Sequence, residues 1–331
     1  MPLLTRAALL VAALTLASCD SPSGSGGSTP VRLDVVSGEG QRDTVGQELP
    51  QPLVIRVLDA RGRPVRDAIV DFRVTAGGGA VSAATANTDA GGEARVNWTL
   101  GTSTRGGQNV NARVFDPRNE EAMVFGVFSA VAVADVPADI SPTGPAEFTI
   151  APGGALPVGV RLLDRYGNRV AGAGVSWQAA DGAVTPAEGV TDSTGVVSAR
   201  WTLAYAVGAQ RLTASAAGSL STRFTASTPA PSGSRLVVVS GDRQRVEAGA
   251  ALPQPLVVRM QDGQGQPLRG AAVSWSPSAG TITPAAALTD AQGLVSAAWH
   301  PGTAPGPRSV GVNAAGVSTL VLTAEVTAAR P

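Results

Sequence analysis

Cys19 and His300 are the only cysteine and the only histidine among 331 residues, so few kinds of chemistry are open to this chain. A Ser/His/Asp relay would rest wholly on His300, and His300 directly follows Trp299 in an alternating run, on the side that faces water. A zinc site would lack the repeated Cys and His ligands it needs. Glycine-rich phosphate loops and calcium loops of the EF-hand spacing are missing. Carboxylates are better supplied: Asp59, Asp164 and Asp262 recur, and so do Asp89, Asp192 and Asp290. Such oxygens suit calcium. Each, however, precedes a glycine turn, where an aspartate side chain accepts backbone N–H bonds. No catalytic residue, metal ligand or cofactor site is therefore assigned, and the chain is expected not to be an enzyme. Tyr166 and Tyr205 fall in loops at opposite poles of one expected domain, too far apart for a shared glycan platform.

The spacing of these residues exposes a repeat. Leu49-Pro-Gln-Pro-Leu leads to Asp59, Leu252-Pro-Gln-Pro-Leu leads to Asp262, and a shorter copy, Leu156-Pro-Val, leads to Asp164. Thirteen residues after each aspartate stands Phe72, Trp177 or Trp275. Thr-Asp turns follow at Asp89, Asp192 and Asp290, and nine residues on come Trp98, Trp201 and Trp299. The copies are offset by 105 and 98 residues. A period of that length marks tandem domains.

Within each copy the hydrophobic pattern has period two. Leu53, Ile55 and Val57 alternate with Val54 and Arg56, and Val70-Asp71-Phe72-Arg73-Val74 does the same. That is the signature of half-buried strands. In the third copy the runs predict seven strands, near 235–240, 254–261, 271–276, 281–288, 293–299, 308–314 and 318–326. Seven short strands in about 100 residues predict an immunoglobulin-like sandwich. The expected fold class is all-β, three tandem sandwiches over residues 31–133, 137–227 and 234–328. Pro-rich linkers are expected at 135–142 and 227–234, and the tryptophans are expected in the cores. Three such domains end to end would make a rod on the order of 100 Å long.

Charge excludes another class. All 25 basic residues are arginine, 25 acidic residues balance them, and the formal net charge is zero. No basic field is present to attract nucleic acid.

Arg6 and the apolar run Ala7–Ala17 read as a secretory leader, since eleven residues are too few to span a bilayer. Leu16-Ala17-Ser18-Cys19 resembles a bacterial lipoprotein lipobox. The resemblance implies a signal peptide over 1–18, cleavage before Cys19, and lipid on the Cys19 thiol as a membrane anchor. Two or more acyl chains anchor stably where one does not. Residues 19–30, rich in Ser and Gly, read as a flexible tether.

The recurring Leu-Pro-x-Pro-Leu, Asp-x-x-Gly-x-Pro, Thr-Asp-x-x-Gly and Trp elements resemble bacterial Ig-like domains of the invasin/intimin type, group 1. That resemblance implies an extracytoplasmic rod; together with the lipobox it implies a lipid-anchored protein of the bacterial cell envelope. The outer membrane is the expected site and the inner membrane the alternative. The implied role is a spacer, adhesion or scaffolding rod. The other reading is a module that binds a cell-surface protein or polysaccharide through loops at a domain pole.

Overall fold

The structure is a computed structural model and describes residues 30–116 and 119–329. Cys19, the leader and residues 19–29 of the tether lie outside the described residues. Among those described, every regular element is a strand except one 3-10 turn, Ala217–Ser219.

Three hydrophobic cores form, one per repeat, each between two sheets. The chain divides into two compact units. The first ends at Ala132 and holds the first sandwich; the second begins at Val133, includes Ser103–Arg105, and holds the other two.

The third sandwich shows the plan. One sheet runs Arg235–Ser240, Leu256–Gln261, Leu294–His300, Thr281–Thr283 in spatial order. The facing sheet runs Gln244–Glu247, Leu320–Thr327, Gly306–Ala314, Ala272–Pro277, Ala286–Leu288. The second sandwich repeats this order strand for strand. In the first, the strand carrying the tryptophan is interrupted at Asn97, between Glu93–Val96 and Trp98–Leu100. Alternation drives the burial: Leu256, Val258 and Met260 point inward. Trp98, Trp201 and Trp299 are almost completely enclosed, and Trp177 and Trp275 are buried as well. Trp177 lies 6.1 Å from Phe224, centroid to centroid, on the inner face of the same sheet.

Three expectations need correction. The third sandwich has nine strands rather than seven. Gln244–Glu247 was not expected as a strand, because it holds a single apolar residue, Val246, and so shows no alternation. It forms because the chain turns at Gly241 and crosses to the other sheet, where it pairs in parallel with Leu320–Thr327. The expected strand 281–288 is two strands in opposite sheets, Thr281–Thr283 and Ala286–Leu288. Pro284 lies at the crossing, where a residue without an N–H ends a ladder. The expected linker 135–142 is half strand, because Asp139–Pro142 pairs with Val160–Leu163.

Candidate functional site

The recurring carboxylates fold into the backbone. Asp59 Oδ1 accepts the amides of Arg61 and Arg63, both at 2.9 Å. Asp164 does the same for Tyr166 and Asn168, and Asp262 for Gln264 and Gln266. Asp89, Asp192 and Asp290 repeat the pattern in the later turn, each accepting the amides two and four residues on. Every one of these Oδ1 atoms holds a turn, as an Asx turn requires.

The threonine of each Thr-Asp turn has a role that the motif alone does not assign. The hydroxyls of Thr88, Thr191 and Thr289 are buried. Each donates to a carbonyl, of Val65, Val170 or Leu268, at 2.6–2.7 Å. Each also accepts an amide, from Ala68, Ala173 or Ala271. The glycine closing the same turn is fixed by space: a Cβ on Gly293 would sit 2.5 Å from the Met260 carbonyl, and its φ is +69°. Thr-Asp-x-x-Gly therefore ties two strand connections together in every copy.

What differs among copies is the second carboxylate oxygen of the earlier turn. Asp59 Oδ2 accepts Arg63 Nε at 3.0 Å, within its own turn. Asp164 Oδ2 accepts Asn168 Nδ2 at 2.8 Å and the Asp135 amide at 3.0 Å. Asp262 Oδ2 accepts the hydroxyl of Tyr205, a residue of the second sandwich, at 2.5 Å. Around that bond the second and third sandwiches form a joint. The Val207 amide donates to the Arg269 carbonyl at 2.8 Å. Arg269 Nη2 meets Asp181 Oδ1 at 2.5 Å. Gly270 lies so close that a Cβ there would be 2.7 Å from the Val207 carbonyl. A cleft of about 630 Å³ opens beside the joint, lined by residues including Asp181, Gly208, Arg269 and Leu288.

The electrostatics follow these bonds. The Tyr205 hydroxyl, helped by backbone amides and opposed by burial, holds the Asp262 carboxyl below the usual carboxylate range. The same bond raises the Tyr205 phenol. Backbone N–H bonds, first that of Arg63, lower Asp59. At Asp164 burial pushes upward, but the bonds from Asn168, Asp135 and Tyr166 outweigh it.

His300 is exposed and lies opposite Thr281 in the strand register. Tyr166 and Tyr205 follow antiparallel neighbouring strands and so lie at opposite ends of the second sandwich. Tyr166 sits under the Arg165 guanidinium, 4.8 Å from the ring centre, and Tyr205 is taken up by the joint. Among the described residues no group of three His, Cys, Asp or Glu is placed to hold a metal ion. No helix there is long and apolar enough to cross a membrane, which leaves β-barrel spans untouched.

Two sheets closed over a tryptophan-centred core, with the first edge run shared between them, define the fold as Ig-like. Its structural neighbours are invasin/intimin-type Ig-like adhesin domains. FdeC, an Escherichia coli adhesin, is 18% identical over 91% of this chain and 98% of its own, with a TM-score of 0.42. Invasin, a bacterial integrin-binding protein, is 19% identical; the match covers 89% of this chain and 60% of invasin, with a TM-score of 0.41. The D0-D1 domains of intimin are 15% identical over 57% of this chain and 97% of theirs, with a TM-score of 0.24. No protein-family profile matches the chain, and no curated protein matches it.

Proposed function

We propose that the protein is a non-enzymatic, lipid-anchored envelope protein, with Ig-like domains at 31–133, 137–227 and 234–328 serving as a spacer for adhesion or scaffolding. Cys19 carries the lipid, residues 19–30 hold the first domain off the membrane, and the outer membrane is the site. One observation supports this reading above the rest. The carboxylates and buried hydroxyls that recur in all three copies are engaged with backbone amides and carbonyls, so the repeated polar chemistry builds turns. The joint around Tyr205 and Asp262 adds to it, because a spacer transmits position only where its modules are held together.

The test is fractionation of cells fed an alkyne-bearing fatty acid, wild type beside Cys19→Ala. Wild type is expected in the membrane fraction and labelled; the variant is expected soluble and unlabelled. An unlabelled, soluble wild type would sink the anchored reading. Protease added to intact cells then separates surface display, where the chain is cut, from a periplasmic role, where it is protected.

A further inference from the structure

The outer face of the larger sheet in the first sandwich departs from the repeat. Three strands meet there: Asn119–Val133, Gln108–Asp116 and Ile69–Ala76. Register sets Phe125 opposite Arg113 and Arg113 opposite Asp71. In the next row, Val127 lies opposite Asn111 and Asn111 opposite Arg73. The buried Phe128, Phe224 and Leu322 align the copies. Counted from them and from the aligned core residues of the other strands, Phe125, Arg113 and Arg73 correspond to Ser221, Ser215 and Gln178 in the second copy. In the third they correspond to Thr319, Asn313 and Ser276.

The third copy closes these positions on one another. Thr319 Oγ1 donates to Asn313 Oδ1 at 2.7 Å, and Asn313 Nδ2 reaches Ser276 Oγ at 3.5 Å. The first copy instead leaves a hollow of about 320 Å³, lined by Arg73, Val74, Thr75, Asn111, Arg113 and Phe125. Phe125 is 52% exposed. Arg113 is held by Asp71 at 2.5 Å. Arg73 has no ion-pair partner among the described residues. An exposed ring on a sheet face forgoes burial that its counterparts, Ser and Thr, never needed.

We propose that this face binds an acidic glycan, with a uronate ring seated on Phe125 and its carboxylate on Arg73. A pyranose offers an apolar C–H face to an aromatic ring. A guanidinium meets a carboxylate through paired N–H donors, and it is the free cation here that calls for an anion. The Asn111 amide supplies donors and an acceptor for ring hydroxyls, and the Thr75 hydroxyl, which donates to the Asn109 carbonyl at 3.4 Å, supplies an acceptor. The volume lies at the lower end of small-ligand sites, about 300–1,000 Å³. A protein partner covers roughly 800 Å² per side, far more than a six-residue hollow presents. The inference does not depend on lipid anchoring.

The test is calorimetric titration of the purified full-length protein with a hexamer of galacturonate, a neutral glucose hexamer and hexaglutamate. Saturable binding of the uronate hexamer is expected, with the neutral sugar at least about tenfold weaker. Phe125→Ala should weaken uronate binding about tenfold or more. Arg73→Gln should remove most of the preference for uronate over the neutral sugar. Arg223→Gln, on the matching face of the second sandwich, should change nothing. All three side chains lie outside the cores, so unchanged melting certifies the fold. The proposal is overturned if no uronate binding occurs, if both first-sandwich variants bind as wild type does, or if hexaglutamate binds as well as the sugar.

Discussion

The Asp59 turn and the Asp262 turn begin from the same sequence logic and end in different structures. In both, Oδ1 holds two amides of its own loop. In the first sandwich, Oδ2 is taken by Arg63, four residues away. In the third, the residue at that place is Gln266, and Oδ2 is left for Tyr205 of the preceding sandwich. A turn that serves only itself thus becomes half of a joint through one local change, the loss of a basic side chain within reach. A tandem array can vary the coupling of its modules without altering their cores.

The largest effect tests what the two sandwiches share. Trp98→Ala and Trp299→Ala should each destabilise their own sandwich by about 3–5 kcal/mol, since both empty a tightly filled core. Urea unfolding followed by far-UV circular dichroism would measure it for both, since Trp98 is the one tryptophan of the first sandwich. A much smaller cost at one of them would mean the cores are not equivalent.

Asp59→Ala and Asp262→Ala come next. Both should lower the melting temperature of their own sandwich, because both orphan two loop amides. Only Asp262→Ala should also loosen the second sandwich against the third, read as a change in residual dipolar couplings between the two. Tyr205→Phe isolates that difference. It should leave the turn intact and cost about 1 kcal/mol of coupling, at the modest end because the tyrosine is half exposed. Equal loosening by Arg63→Ala in the first sandwich would break the comparison.

The smallest effect is in pH. Asp59 and Asp262 have folded values below their unfolded ones, so their contributions are complete above the ordinary carboxylate range, near pH 4, and are lost as pH falls through the folded values. Tyr205 is shifted upward, so its contribution is complete below the ordinary phenol value, about 10, and is lost as pH rises through the folded one. The first sandwich should therefore show only an acid limb, while the joint weakens at both extremes. Thermal melts across pH should show the alkaline loss disappear in Tyr205→Phe.

Much of the fold is visible in the chain. Alternation around Leu256, Val258 and Met260 marks an inward strand face wherever burial on one side is complete. The runs that escape notice are those whose pairing is decided elsewhere. Gln244–Glu247 has one apolar residue to show, and 281–288 looks continuous until the two sheets claim its halves. The site is less visible. Aspartate before a glycine turn announces an Asx turn, but the neighbouring Thr88, Thr191 and Thr289 differ from solvated threonines only in what lies across from them. Phe125 stands in an unbroken run, Val124-Phe125-Gly126-Val127-Phe128, with no polar residue to mark which side faces outward.

Repeat number, strand periodicity, turn chemistry and the absence of paired histidines or thiols belong to the sequence alone, because each depends on residues a few positions apart. Cys19 at the end of an apolar run belongs there too. Tertiary structure decided where Tyr205 finds its acceptor, which sheet receives each half of 281–288, and that Phe125, Asn111 and Arg73 share one surface. These contacts join residues 50 or so positions apart, or lie on strands that only a closed sandwich brings side by side. No local pattern carries that information, because hydrogen bonds and burial respond to distance in space.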